Sequence, residues 1–242
     1  MIYKEQFKIG LKDIGKNNEL TNKAILEFLE NIAGHHSDYV GYGANTTKKT
    51  QRTWLLLDWQ LEVIKRPRYG QILDINTWSR YTNKCYSYRD FEVYDENGTL
   101  CAIATSKWIF IDISKNKITK VEENVISKYE PEEEKSVFKI LELPKVKEPI
   151  EYISTVEYKI RRADIDINNH LHNLNYLDLA YEALPEEVYE KSIFNNVRIS
   201  YKKEIKGGAE VRCKYSCVEG KHIVTIYNDD EKILHAIIIL YF

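Results

Sequence analysis

What most constrains this chain is an order of patterns that is laid down twice. Ile25, Phe28, Leu29 and Ile32 recur at helical spacing. They predict a helix over 22–33, capped by Thr21 or Asn22 and stopped at Gly34. From Trp54 the period changes to two: Leu55, Leu57, Trp59, Leu61 and Val63 alternate with Asp58, Gln60 and Glu62, which marks a half-buried strand. Arg66-Pro67-Arg68-Tyr69-Gly70 closes that strand. Three more are expected over 72–80, 86–94 and 100–113, with Asp95-Glu96-Asn97-Gly98 as the hairpin turn between the last two.

Residues 128–150 interrupt this pattern with Pro131, Pro144, Pro149 and the acidic run Glu132-Glu133-Glu134, the composition of a linker. The pattern then restarts. A strand is expected around Val156, Tyr158 and Ile160, and a helix over 174–184 with Leu174, Leu177, Tyr181 and Leu184 as its buried stripe. Asn173 would cap that helix and Pro185 would end it. Strands follow over 196–205, 211–217, 223–228 and 233–242. Asn22 and Asn173 open corresponding helices, and Gly70 and Gly208 follow corresponding strands, so the order of elements points to duplication. A sheet that covers its apolar face with one helix is an α+β architecture. The expected division is residues 1–127, a linker at 128–150, and residues 151–242.

The formal net charge is −2, which leaves no global basic field of the kind that holds nucleic acid. The charged N-terminus Met1-Ile-Tyr-Lys-Glu-Gln-Phe-Lys is not a signal peptide, and no apolar run reaches the ~18 residues of a membrane span. The expectation is a cytoplasmic protein without stable membrane insertion. Cys85, Cys101, Cys213 and Cys217 show no CxxC pair and are expected as reduced core residues.

The densest polar cluster runs from Arg162 to Asn173, just before the second helix. Were it extended, Asp166, Asn168 and His170 would face one side, and Ile165, Ile167 and Asn169 the other. A carboxylate, an amide and an imidazole would then lie beside the free N–H groups of a helix start, which favour a developing oxyanion. For Asp164, Asn169 and Asn173 the preferred role is capping and turn shaping. The His170/His172 pair could hold a metal with Asp166, but Asn168 is a poor zinc ligand and no further ligand motif appears, so no metal is expected.

Asp166-Ile-Asn168-Asn-His170-Leu-His-Asn173-Leu-Asn-Tyr176 resembles the D-x-N-x-H-x-x-N-x-x-Y signature of the acyl-acyl carrier protein thioesterases. Ile199-Ser-Tyr201-Lys-Lys-Glu204 is similar to that family's strand carrying a catalytic Glu. Arg89-Asp90-Phe91, Asp95-Glu-Asn-Gly98 and the stretch from Ala104 to Asp112 match the family's wording in the first half. The resemblance implies a tandem double hotdog, with the acyl chain housed in the first half and the chemistry in the second. It also implies fatty acyl-[acyl carrier protein] hydrolysis without a cofactor, and Asp166, Asn168, His170 and Glu204 as the catalytic set. Plant members often carry Cys after that Glu. Ile205 stands there in this chain, so a Cys nucleophile at this place is not required.

In the roles assigned here, Glu204 orients or deprotonates water with help from His170, and Asp166 orients His170 or shares the base role. Asn168 and the helix N–H groups around Asn173 polarise the carbonyl. Arg161, Arg162, Lys202, Lys203 and Lys206 form either a solvated face or a dock for an acidic carrier protein and its phosphopantetheine. The first half has no Asp-x-Asn-x-His string and is expected to be catalytically silent. An acyl-CoA thioesterase, a hotdog hydroxyacyl dehydratase, a non-catalytic carrier-binding module and a homodimeric state all stay open.

Overall fold

In the computed structural model, which describes residues 1–166, 168–191 and 193–242, Thr21 opens the first long helix: its hydroxyl accepts the Ala24 amide at 3.2 Å. This helix, α1 (Asn22–Tyr39), runs past Gly34. Glycine costs a helix about 1 kcal/mol relative to alanine, but burial of Ile25, Leu29, Ile32 and, two residues beyond the glycine, His36 carries the helix on. The chain divides into two compact units, Met1–Leu143 and Pro144–Phe242.

The first unit adds β1 (Tyr3–Lys8), a short α2 (Thr47–Thr50), β2 (Arg52–Val63), β3 (Ile72–Asn83), β4 (Tyr86–Asp95) and β5 (Leu100–Asp112). All pairings are antiparallel, in the order β1-β3-β4-β5-β2, and β6 (Lys117–Ile118) pairs with β5. The register between β2 and β5 shifts between Leu56 and Asp58. This bulge reverses the phase of the alternation: Leu55 is exposed and Leu56 buried, whereas Trp59, Leu61 and Val63 keep the expected buried face.

The hairpin turn at 95–98 forms as its residues dictate. The Asp95 carboxylate accepts the amides of Asn97 and Thr99 at 3.0 and 2.9 Å, and Gly98 takes φ +76°, which disfavours a side chain. After α3 (Glu123–Ile126) the chain stays on this unit. Trp78 Nε1 donates to Lys135 O at 2.9 Å, and Arg80 donates to the carbonyls of Ile140 and Leu141 at 3.2 and 2.8 Å.

The second unit contains β7 (Ser154–Lys159), α4 (Asn175–Glu182), α5 (Glu186–Lys191), β8 (Asn196–Tyr201), β9 (Glu210–Val218), β10 (Lys221–Asn228) and β11 (Leu234–Tyr241). Its antiparallel order is β7-β9-β10-β11-β8, the order of the first unit's five strands element for element. Leu174, Tyr176, Leu177 and Ala180 bury the inner face of α4, and Tyr181 is half-buried. Pro185 lies between α4 and α5; its carbonyl accepts the Val188 amide at 2.9 Å. Of the cysteines, Cys101 and Cys213 are buried, Cys85 is half-buried and Cys217 is exposed, so Cys217 is not a core residue. No helix among the described residues is long and apolar enough to cross a membrane.

Candidate active site

The segment before α4 is folded back rather than extended. The Asp166 amide donates to His170 O at 2.8 Å and the Asn169 amide to Asp166 O at 3.1 Å, while Asn169 sits at φ +62°, a conformation asparagine tolerates better than most residues. The expected two-sided alternation of Asp166, Asn168 and His170 therefore does not occur; Ile167 lies outside the described residues. Asp166 organises the turn itself. Its Oδ1 accepts the amides of Asn168 at 2.8 Å and His170 at 3.0 Å. Asp166 thus meets the backbone of His170, and no hydrogen-bond partner of the His170 ring occurs among the described residues.

Closing the loop delivers it to a second segment. Ile165 pairs with Leu171, and His170 pairs with Lys206. Leu171 N donates to Ile205 O at 2.8 Å and Gly207 N to Asn169 O at 3.3 Å. His170 and Glu204, thirty-four residues apart in sequence, thus belong to paired segments. Glu204 is not on a strand: β8 ends at Tyr201, and 202–205 run irregularly toward the pairing.

Two residues without an assigned role in the sequence hold that stretch. Tyr176 Oη accepts the Ile205 amide at 3.1 Å and lies 3.5 Å from Lys203 O, which pins the backbone on both sides of Glu204. Burial, first, and then the charges of Glu204 and Asp166 push the Tyr176 hydroxyl pKa up, so it stays a neutral donor and acceptor. The buried His235 keeps Nδ1 3.1 Å from Lys203 O while its own carbonyl accepts the Lys202 amide at 2.8 Å; burial lowers its pKa. The signal for Tyr176 was its place at the end of the polar motif. Nothing in the sequence marked His235.

Asn173 does not cap α4. The cap position is Leu174 and receives no side-chain hydrogen bond there, because the turn already begins at His172. His172 O accepts the Asn175 amide at 2.9 Å, and its Nδ1 lies 3.4 Å from the Leu174 amide. The Asn173 carbonyl accepts the Tyr201 hydroxyl at 2.9 Å, which joins the start of α4 to β8. Asp164 does shape a turn: its carboxylate accepts the Arg161 amide at 3.0 Å and pairs with the Arg161 guanidinium at 2.7 Å. Of the basic residues, Arg161, Arg162, Lys202, Lys203 and Lys206 are all exposed. Arg161 is committed to Asp164, which raises its pKa, and Lys202 Nζ donates to Ser200 Oγ at 2.7 Å.

The arrangement offers an exposed carboxylate at Glu204, a half-buried imidazole at His170 and an exposed amide at Asn168. Among the described residues no three His, Cys, Asp or Glu side chains cluster to hold a metal. Such a set can activate water and polarise a carbonyl.

Twin helix-on-sheet units of matching strand order define the double-hotdog class. Two family models match the chain: the acyl-ACP thioesterase N-terminal domain over residues 1–129, and the acyl-ACP thioesterase C-terminal domain over 147–239. The chain belongs to the acyl-ACP thioesterase family.

The chloroplastic oleoyl-acyl carrier protein thioesterase 1 of Arabidopsis thaliana is 27% identical over 218 residues, a match covering 84% of this chain and 60% of the plant protein. This chain thus spans about 60% of that relative's length. Among solved structures, an acyl-ACP thioesterase from Bacteroides thetaiotaomicron superposes with a TM-score of 0.87 at 22% identity, covering 100% of this chain and 97% of that one. The 12:0-ACP thioesterase from Umbellularia californica gives 0.84 at 15% identity, covering 99% and 96%. These two show the shared fold.

Proposed function

We propose that this protein hydrolyses fatty acyl thioesters of acyl carrier protein, releasing a free fatty acid and the carrier thiol. The observation that carries the proposal is the pairing of the 166–170 loop with the 204–206 segment in a chain of this family. Glu204, exposed and on a backbone pinned by Tyr176, takes a proton from water as its oxygen attacks the thioester carbonyl. Asn168 Nδ2, 3.4 Å from Asp166 Oδ2 and on the solvent side, donates to the oxyanion. Collapse of the tetrahedral intermediate breaks the C–S bond. A thiolate whose conjugate acid has pKa ~8.5 leaves readily, and Glu204 gives up to it the proton taken from water, with His170 relaying that proton.

Asp166 fixes the loop through two backbone amides, that of His170 among them. Acyl-chain binding is assigned to the first unit and the chemistry to the second. The exposed Arg162, Lys203 and Lys206 face an acidic carrier, with Lys206 paired directly to His170. Four unpaired cysteines fit a reducing cytoplasm.

The test follows thiol release from acyl carrier protein and acyl-CoA substrates after exhaustive chelation. Release from the carrier thioester, faster than from CoA and unchanged by chelation, is the expected result. Dehydration without thiol release would replace hydrolysis with the hydroxyacyl dehydratase, and no turnover would leave a carrier-binding module.

A further inference from the structure

The first unit buries an arginine that no carboxylate among the described residues neutralises. Arg89 lies on β4 and is only 6% exposed. Its sequence neighbour Asp90 points to the opposite face of the sheet, as alternation requires, and pairs there with Arg80 at 3.3 Å. Arg89 itself forms no ion pair among the described residues. Its Nη1 donates to His36 Nδ1 at 2.8 Å and to Thr77 Oγ1 at 3.1 Å, and the Tyr129 ring covers the guanidinium at 5.7 Å. Burial alone pulls its pKa down to about 10, so the group is charged at neutral pH.

The hydrogen bonds define what is missing. A guanidinium only donates, so His36 Nδ1 must accept, and the imidazole is neutral with its proton on Nε2. That Nε2 is buried and has no hydrogen-bond partner among the described residues. Two of the five arginine N–H donors are used at Nη1. The Nε and Nη2 donors, which form the edge that matches a planar oxyanion in two parallel bonds, meet no acceptor among the described residues.

The surroundings are aromatic and aliphatic. Tyr3 stacks on His36 at 5.1 Å, and Tyr129 sits edge-on to it at 5.4 Å and packs in a cluster with Val40, Phe110, Val121 and Val125. A fully hydrated inorganic anion gains little there, whereas a carboxylate on an apolar body satisfies both the charge and the walls.

We propose that Arg89, supported by His36 and Thr77, is the head of an internal site for an aliphatic carboxylate, a ligand of the free-fatty-acid class. The site is independent of the hydrolytic assignment. If that assignment holds, the ligand has the chemistry of the product.

The test is calorimetric titration of the whole protein with decanoate and with decanol, which share a chain and differ in the head group. The wild type should prefer decanoate by at least about tenfold, the value of one lost charge-assisted contact. R89M removes both the charge and the fork at similar side-chain length, and should abolish that preference. H170A, in the candidate hydrolytic site, should retain it whether or not the protein is a thioesterase. Equal affinity for decanoate and decanol in the wild type, or a preference that survives in folded R89M, would overturn the proposal. Should R89M fail to fold, a preference lost in H170A would overturn it equally, by placing the carboxylate at the other site.

Discussion

The loop before α1 and the loop before α4 have one backbone and two chemistries. Gly15 N donates to Glu19 O at 2.9 Å as Asp166 N does to His170 O at 2.8 Å, and Asn18 and Asn169 sit at φ +60° and +62°. Leu20 N bonds Pro67 O and Leu171 N bonds Ile205 O, both at 2.8 Å; Glu19 pairs with Arg68 as His170 pairs with Lys206. The side chains diverge on this shared frame. Gly15 stands where the second unit has Asp166, Glu19 where it has His170, and Arg66 where it has Glu204.

Arg66 is spent on structure, donating to Leu20 O at 2.8 Å and Asn22 Oδ1 at 3.0 Å. The first unit therefore builds the loop with neither a carboxylate at position 15 nor an imidazole at position 19. A Cβ on Gly15 would meet ordinary contacts from 3.5 Å outward, so glycine is not demanded there. The first unit thus forms the same turn without these two side chains, which leaves Asp166 and His170 free for the proposed chemistry.

The largest consequence concerns turnover. H170A and D166N should lower kcat by about 10² to 10⁴-fold, the usual contribution of a positioned acid-base group. Their melting temperatures should stay close to wild type, because an asparagine carbonyl at 166 still accepts the two loop amides. A large loss of melting temperature in both would turn the comparison around and make the polar residues structural.

Acid unfolding reads a feature of the first unit. Burial, the Arg89 charge and the N-terminal amine hold the His36 pKa down at about 3 against 6.5 for a free imidazole. The unfolded chain thus binds a proton that the folded chain refuses. The stability this group provides is complete above pH 6.5 and drains as pH falls toward 3. Between pH 6 and 5 the wild type should lose about 1 kcal/mol that H36N does not. Denaturant titrations at both pH values measure it, and identical slopes in the two proteins would place His36 outside a sealed interior.

Asn18 and Asn169 offer a matched pair. N18A and N169A should each cost about 1 kcal/mol by forcing alanine into the left-handed region. Only N169A should also depress kcat, through displacement of His170. Equal activity loss in both would show that the first loop serves the reaction too.

The smallest effect separates the caps. T21A removes a 3.2 Å hydroxyl cap and should cost about 1 kcal/mol of stability. H172A loses only a 3.4 Å contact and should cost less, because hydrogen bonds weaken as they lengthen. Paired thermal melts decide the order.

The repeated element order was readable because helical and period-two patterns follow burial directly. Leu29 and Ile32, or Trp59 and Leu61, announce their faces. Places where local and tertiary forces compete were not readable. Helix α1 continues through Gly34 because residues beyond it are buried, the bulge near Leu57 turns Leu55 outward, and Asp166 closes a turn that its spacing alone allows to be extended.

The shared loop was legible in principle. Asn17-Asn18-Glu19-Leu20-Thr21-Asn22 matches Asn168-Asn169-His170-Leu171-His172-Asn173 at four of six places, an offset that also brings Asn22 onto Asn173. The buried state of Arg89 was not legible, since its counter-partners come from α1, β3 and residue 129 and only the fold assembles them.

Thiol release from acyl carrier protein thioester by E204Q, E19Q and wild type, run side by side with thermal melts, tests the division between the two loops most directly. E204Q should lose about 10² to 10⁴-fold in kcat, while E19Q stays within about twofold of wild type and both proteins remain folded. Near wild-type turnover in E204Q would make Glu204 a surface charge and pass the base role to Asp166. A comparable loss in E19Q would contradict the claim that chemistry resides in the second loop alone.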